Sequence, residues 1–332
     1  MVFQGLLRRH RRGDRSVEAD TEAPAPKDSQ PSIGIALSGG AARGFAHIGV
    51  LRTLLAHGLK PEIVTGTSMG ALIGGCYAAD QLDAFERWAN GLTRRRVLSY
   101  LDVSLAGSGL ISGSRLARQL EATLGGIKIE TLETRFAAIA TEIDTGHEVW
   151  LTRGRLVEAL RASYALPGVF APVRIGGRWL LDGALVNPVP VSAARALDAR
   201  LVIAVNTNGD LFGRGATIQS HGFEDDEPAD RPVAGEGGWR ERRRAEKLIK
   251  RKLFGRAGRP GLPTVMIEAY SVMQDRITRA RLAGDPPDII ITPRVGHIGM
   301  FDFHRADEAI RIGAEAAERA LDQIDQAIEA LS

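Results

Sequence analysis

Apolar positions along this chain fall into two rhythms, and the alternation between them is the first structural signal. Short unbroken apolar runs bounded by Gly, Pro or Asp read as buried strands. They are Ile33-Gly34-Ile35-Ala36-Leu37, Ile63-Val64-Thr65, residues 135–142, residues 148–151, residues 178–181, Leu201-Val202-Ile203-Ala204-Val205 and residues 288–291. Between them, apolar residues return every three or four positions, as one face of a helix requires. Phe45, Ile48, Leu51, Leu54 and Leu55 mark a helix over about 45–57, closed by Gly58. Further helices are expected over 80–92, 94–101, 114–124 and 155–164, and another starting at Pro188 and Pro190. Val265, Met266, Ala269, Val272, Met273 and Ile277 predict a core-facing helix in which the methionines serve packing, and residues 305–331 predict one long closing helix. A loop is expected around Gly107-Ser108-Gly109, a turn at Thr145-Gly146 and a hairpin around Gly176-Gly177. Strands alternating with helices throughout, with no internal repeat, indicate an α/β sandwich with a largely parallel central sheet.

Two glycine-bearing loops interrupt this pattern. The run Gly66-Thr67-Ser68-Met69-Gly70 stands between an expected strand and an apolar helix-compatible stretch, Ala71 to Ala79. Glycines on either side of a serine at a strand-to-helix turn permit a bend so tight that the serine side chain is forced outward: the nucleophile-elbow pattern. The helix that follows aims backbone N–H groups at any oxyanion forming there. About 28 residues earlier, Ser38-Gly39-Gly40-Ala41-Ala42-Arg43-Gly44 links the first strand to the first helix. It resembles a dinucleotide fingerprint with alanine at the middle glycine. Free amides in such a loop serve a tetrahedral intermediate as well as a phosphate. If the two strands are parallel neighbours, the loops lie side by side, one carrying a nucleophile and the other supplying donors.

The 332-residue length allows one large or two ordinary domains, and 44% apolar with 25% charged residues is the content of a soluble globular chain. A formal charge of +3 is too small to argue for nucleic acid. The single cysteine, Cys76, permits no internal disulfide and points to a reduced, intracellular setting. No apolar stretch approaches the roughly 20 residues of a spanning helix, and no hydrophobic segment follows the basic N-terminus (Arg8, Arg9, Arg11, Arg12). Where the charges sit is more informative than their sum. Residues 1–31 read as a disordered basic and Pro/Ala-rich tail. Within 211–262 an acidic loop and Gly-rich linkers lead into a segment from Trp239 to Phe254 that, counted on to Arg256, holds nine Lys/Arg. Ala245, Leu248, Ile249 and Leu253 form a narrow apolar stripe among those cations, as in a helix lying on an anionic membrane.

A serine nucleophile needs a base. Asp182, at the end of an apolar strand and before Gly183-Ala184, is one candidate. His297, after the last strand with His304 near it, is the other, in an α/β-hydrolase triad. His47 reads as a structural hydrogen-bonder. No His/Cys/Asp/Glu cluster has metal-ligand spacing, so neither metal nor cofactor is expected.

At this point three motifs match a family in order and spacing. Residues 37–51 resemble the patatin oxyanion-hole segment, Gly66-Thr67-Ser68-Met69-Gly70 its elbow, and Asp182-Gly183-Ala184 its catalytic Asp-Gly-Ala/Gly. The likeness continues through Ala162-Ser163, residues 166–172 and residues 186–190, and residues 283–288 and 302–306 are similar to the RssA-type bacterial patatin-like proteins. It covers about 33–310. The resemblance implies a patatin-like three-layer α/β sandwich and a lipid acyl hydrolase working through a Ser–Asp dyad. Ser68 is then the nucleophile, Asp182 the base, and Gly39, Gly40, Ala41 and Arg43 the oxyanion segment. Where the family usually has glycine this chain has Ala41, which keeps the N–H but strains the backbone if φ is positive.

The expected organisation is thus a tail (1–31), a catalytic core (33–196) and a C-terminal part (197–332) completing the same α/β unit around a basic insert at 211–262. The expected protein is a cytoplasmic or peripherally membrane-bound esterase. Its substrate is a lipid acyl ester, and residues 239–254 and the N-terminal arginines touch anionic membrane. Three rivals stand beside it: the His297 triad, an inactive patatin-like adaptor at the membrane, and, weakest, a nucleotide-binding protein.

Overall fold

The computed structural model describes residues 31–100, 113–211 and 262–332. Eight strands form one sheet: β1 (Ile33–Leu37), β2 (Ile63–Thr67), β3 (Arg135–Glu142), β4 (Glu148–Leu151), β5 (Val173–Ile175), β6 (Arg178–Asp182), β7 (Leu201–Val205) and β8 (Ile289–Ile291). Their order is β5-β6-β3-β2-β1-β7-β8, with β4 pairing β3. The five strands β3-β2-β1-β7-β8 run parallel, while β4 and β6 pair antiparallel with β3, and β5 antiparallel with β6, at one side. Residues beyond 197 therefore contribute β7 and β8 to the sheet that β1 and β2 begin.

Helices cover both faces, as a parallel sheet demands. The helices are α1 (Ala46–Ala56), α2 (Met69–Ala78), α3 (Leu82–Asn90), α4 (Arg94–Tyr100), α5 (Ser114–Leu124), α6 (Leu156–Ser163), α7 (Val191–Ala196), α8 (Leu262–Gly284), α9 (Ala306–Glu318) and α10 (Leu321–Leu331). Side-chain alternation in β1 divides the interior. Ile33, Ile35 and Leu37 join the large core shared with α1, α2 and α6, whereas Ala36 joins a small core with Val191 and Ala194 of α7. Helix α2 is apolar on every side and buried from Met69 to Cys76, so it is an interior helix with no solvent face. Helices α1 and α9 meet backbone to backbone: a Cβ on Gly49 would fall 1.9 Å from the Ile310 carbonyl oxygen, and one on Gly313 2.0 Å from that of Ala46.

Two expectations are corrected. The closing helix is two helices: the chain turns at Arg319 and Ala320, where the Ala320 amide reaches Ala317 in place of residue 316. No glycine or proline marks that break. More consequentially, α8 is turned the opposite way. Val265, Met266, Val272 and Met273 face solvent, and Ser271, Gln274, Asp275 and Thr278 are buried. Helical periodicity identifies the apolar face but not what lies opposite it, and the inward neighbours of this helix include the polar loops after β1 and β6.

The basic insert at 211–262, the N-terminal tail and the loop at 107–110 lie outside the described residues, apart from Pro31, Leu211 and Leu262 at their borders. Among the described residues, no helix is long and apolar enough to cross a membrane.

Candidate active site

The elbow is built by close approach. Strand β2 ends at Thr67, and Ser68 turns the chain into α2 with φ 55° and ψ −119°, a strained conformation for a side chain other than glycine. The neighbouring glycines leave no room for anything larger. A Cβ on Gly66 would sit 2.5 Å from the Ala71 nitrogen, and one on Gly70 2.2 Å from the Leu37 carbonyl oxygen. Ser68 is held from behind by its own amide, which donates to Ser163 Oγ at 2.9 Å.

Asp182 reaches the same point from across the sheet. It ends β6, whose pairing with β3 sets Asp182 opposite Ala140. Gly183 then passes so near β3 that a Cβ would lie 2.3 Å from the Ile139 carbonyl oxygen. Thr141 Oγ1 donates to the Asp182 carbonyl oxygen, and Thr65 and Thr67 of β2 donate to Pro190 and Asn187, pinning the segment after the corner to the elbow strand. The result is a direct contact: Ser68 Oγ donates to Asp182 Oδ2 at 2.7 Å, while Oδ1 accepts from the Ala184 amide at 2.9 Å. Burial pushes the Asp182 carboxyl up to about 7, even though the Ala184 amide and the Ser68 hydroxyl both pull it down.

Beside the pair runs the loop after β1. Among the described residues the amides of Gly40 and Ala41 meet no acceptor, and both residues line the same cavity as Ser68 and Asp182. Two other members of the expected oxyanion segment bond elsewhere in the structure. The Gly39 amide donates to the Pro188 carbonyl at 3.0 Å. The Arg43 guanidinium is buried, donates to Asn208 Oδ1 at 3.0 Å, and is absent from the cavity wall. Both hold the loop in shape. Ala41 has φ 48°, so the alanine does occupy the left-handed region and keeps its N–H available.

The histidines lie elsewhere. His297 is half-exposed and bonds Glu308 at 2.9 Å. His304 accepts from Arg94. His47 is fully buried and donates Nε2–H to the Ser38 carbonyl, and burial lowers it to about 4. Cys76 is buried and pushed up to about 12 by desolvation, which leaves it unreactive. No cluster of metal-ligating side chains forms among the described residues.

The cavity encloses about 1050 Å³ of empty space, part of it open to solvent. Its wall is mostly apolar, with Leu72, Trp88, Leu116, Phe170, Met300 and Phe303 among its lining. Sequence reasoning missed several supports. Thr207 donates to the Gly39 carbonyl through its hydroxyl and to Ser38 Oγ through its amide, and Asn208 also bonds Gly39. The polar run Asn206-Thr207-Asn208 directly after a buried strand was the available signal. Tyr270 and Gln274, which enter the cavity from α8, gave none.

The chamber lies on a mostly parallel α/β sandwich, with a serine on a strand–helix elbow in its wall. The family model described as patatin-like phospholipase matches residues 35–195. An uncharacterized NTE family protein of Mycobacterium tuberculosis is 33% identical over 338 residues, covering 90% of this chain and 93% of that protein. This chain belongs to the patatin-like phospholipase family. Lysophospholipase NTE1 of Pyricularia oryzae is 28% identical over 295 residues, 85% of this chain and 18% of that protein. The crystal structure of VipD from Legionella pneumophila shares 13% identity at a TM-score of 0.43, over 89% of this chain and 67% of that one.

Proposed function

We propose that this protein is a serine acyl hydrolase that cleaves carboxylic esters of phospholipids, lysophospholipids or related lipids through a Ser68–Asp182 dyad. The observation that carries the reading is the 2.7 Å hydrogen bond from the Ser68 hydroxyl to a buried carboxylate in the wall of a largely apolar cavity.

Each step follows from groups already in place. Desolvation makes Asp182 basic enough to take the hydroxyl proton as Ser68 Oγ attacks the ester carbon. The carbonyl oxygen becomes an oxyanion beside the Gly40 and Ala41 amides, and each such donor contributes on the order of 10²–10³ in rate. Collapse breaks the bond to the alcohol, which leaves with the proton that Asp182 took. Water then repeats the sequence on the acyl-enzyme and releases the fatty acid. The aromatic and aliphatic wall accommodates an acyl chain, since burying each methylene contributes about 0.8 kcal/mol.

The exposed stripe Val265, Met266, Val272 and Met273 on α8 supports approach to a lipid surface, because other residues of the same helix line the cavity. Residues 239–254 and the N-terminal arginines belong to the same reading as anionic-membrane contacts, at the cytoplasmic face. A lipidomic turnover assay of wild type against Ser68→Ala tests the function. Fatty acid released by wild type and not by the variant is the expected result; equal release by both would remove Ser68 from the chemistry.

A further inference from the structure

One polar atom in the chamber has no structural explanation. Tyr270 of α8 lines the cavity that holds Ser68 and Asp182, and its hydroxyl oxygen is buried there. It is sealed from solvent and has no hydrogen-bond partner; Gln274, one turn along, approaches it without reaching hydrogen-bond geometry. An unpaired buried hydroxyl costs about 1–3 kcal/mol, and phenylalanine would fill the same space without that cost. The helix that carries it lies close over the nucleophile. A Cβ placed on Gly39 would be 3.6 Å from Ser68 Cβ and 3.7 Å from Gln274 Nε2.

The dyad chemistry says what oxygen this donor meets. In the tetrahedral intermediate the former carbonyl oxygen faces the Gly40 and Ala41 amides. The alcohol oxygen must face Asp182, because that carboxyl holds the proton the alcohol takes with it. Tyr270 and Asp182 line the same cavity: burial, and after it the Asp182 carboxylate, push the phenol well above its ordinary range, so the hydroxyl stays protonated at every working pH. We propose that Tyr270 is a further catalytic residue whose O–H donates a hydrogen bond to the leaving alcohol oxygen as the acyl–oxygen bond breaks. The bonding pair moves to that oxygen, Tyr270 stabilises the charge developing there, and the proton from Asp182 completes the alcohol. Tyr270 keeps its own proton throughout. The inference rests on the Ser68–Asp182 reading and adds to it a preference for unactivated alkyl esters, whose poor leaving groups need such a donor.

The test compares full-length wild type and Tyr270→Phe on esters of one acyl chain whose alcohols run from p-nitrophenol to a primary alkyl alcohol. The ratio kcat/KM isolates acylation and leaving-group departure from the later hydrolysis of the acyl-enzyme. The expected loss in Tyr270→Phe is about tenfold or more on the alkyl esters and about twofold or less on the p-nitrophenyl ester. Fluorophosphonate labelling of Ser68 should persist, since fluoride departs without a proton, and thermal stability should hold or rise. A loss equal across all alcohols, as a merely structural role would give, overturns the inference, and so does no loss at all. A wild type that neither labels nor turns over any ester overturns the dyad reading itself, whereas a labelled wild type with a flat leaving-group series overturns the role of Tyr270 alone.

Discussion

Gly70 lies against Leu37 so closely that a β-carbon on the glycine would come within 2.2 Å of the Leu37 carbonyl oxygen and within 2.5 Å of that of Ser38. This contact joins the start of α2 to the end of β1 and so sets the elbow beside the amide-bearing loop. Backbone on backbone cannot yield as a side chain can. Gly70→Ala is therefore expected to cost about 3 kcal/mol or more in urea unfolding and to abolish labelling of Ser68. Gly284→Ala, at the end of α8 with open space around it, should stay within about 1 kcal/mol of wild type. Equal effects at the two positions would refute the packing account.

Hydrolysis should switch on as Asp182 ionises. Only the carboxylate can accept the Ser68 proton, so kcat/KM on a soluble ester rises with pH and levels off above a midpoint near 7. A midpoint near the ordinary carboxylate value would show that the carboxyl is solvated in solution.

The same burial has a stability cost of definite sign. Between 3.8 and about 7 the folded chain holds an Asp182 proton that the unfolded chain has released, so this group's contribution falls as pH rises through that window. Asp182→Asn removes the charge while keeping an acceptor for the Ala184 amide. The variant should be more stable than wild type by up to about 4 kcal/mol above pH 7, with the difference vanishing below pH 4. Paired thermal melts at pH 4 and pH 8 measure this; a variant less stable at pH 8 contradicts it.

At Ala41 the left-handed backbone carries a β-carbon that glycine would spare. Ala41→Gly should change stability by no more than about 1 kcal/mol, in the direction of a gain, and hydrolysis should persist because the amide is kept. A large loss of activity would mean that the methyl group itself shapes the cavity.

How much of this was legible in the sequence follows from the range of each signal. Strands such as Ile33–Leu37 and Leu201–Val205 declare themselves by local apolar runs, and the elbow by two glycines within five residues. The partnership of Ser68 with Asp182 spans 114 positions, and no periodicity links them; it came from the order of three motifs. Between Asp182 and His297 the residues alone left the choice of base open, while the fold brings Asp182 to the serine and leaves His297 on Glu308. Helix α8 was misjudged because Val265, Met266, Val272 and Met273 look like core in one dimension. Only the folded arrangement reveals that its inward face lines the cavity that holds Ser68 and Asp182, and Tyr270 was invisible for the same reason.

The most direct test of the account is the rate and site of fluorophosphonate labelling, followed by intact-protein and peptide mass spectrometry in wild type and Asp182→Asn. The account predicts a single adduct on Ser68 in wild type and a labelling rate reduced by on the order of 10²-fold or more in Asp182→Asn at pH 8. An adduct on another residue, or an Asp182→Asn protein labelled as fast as wild type, would contradict it.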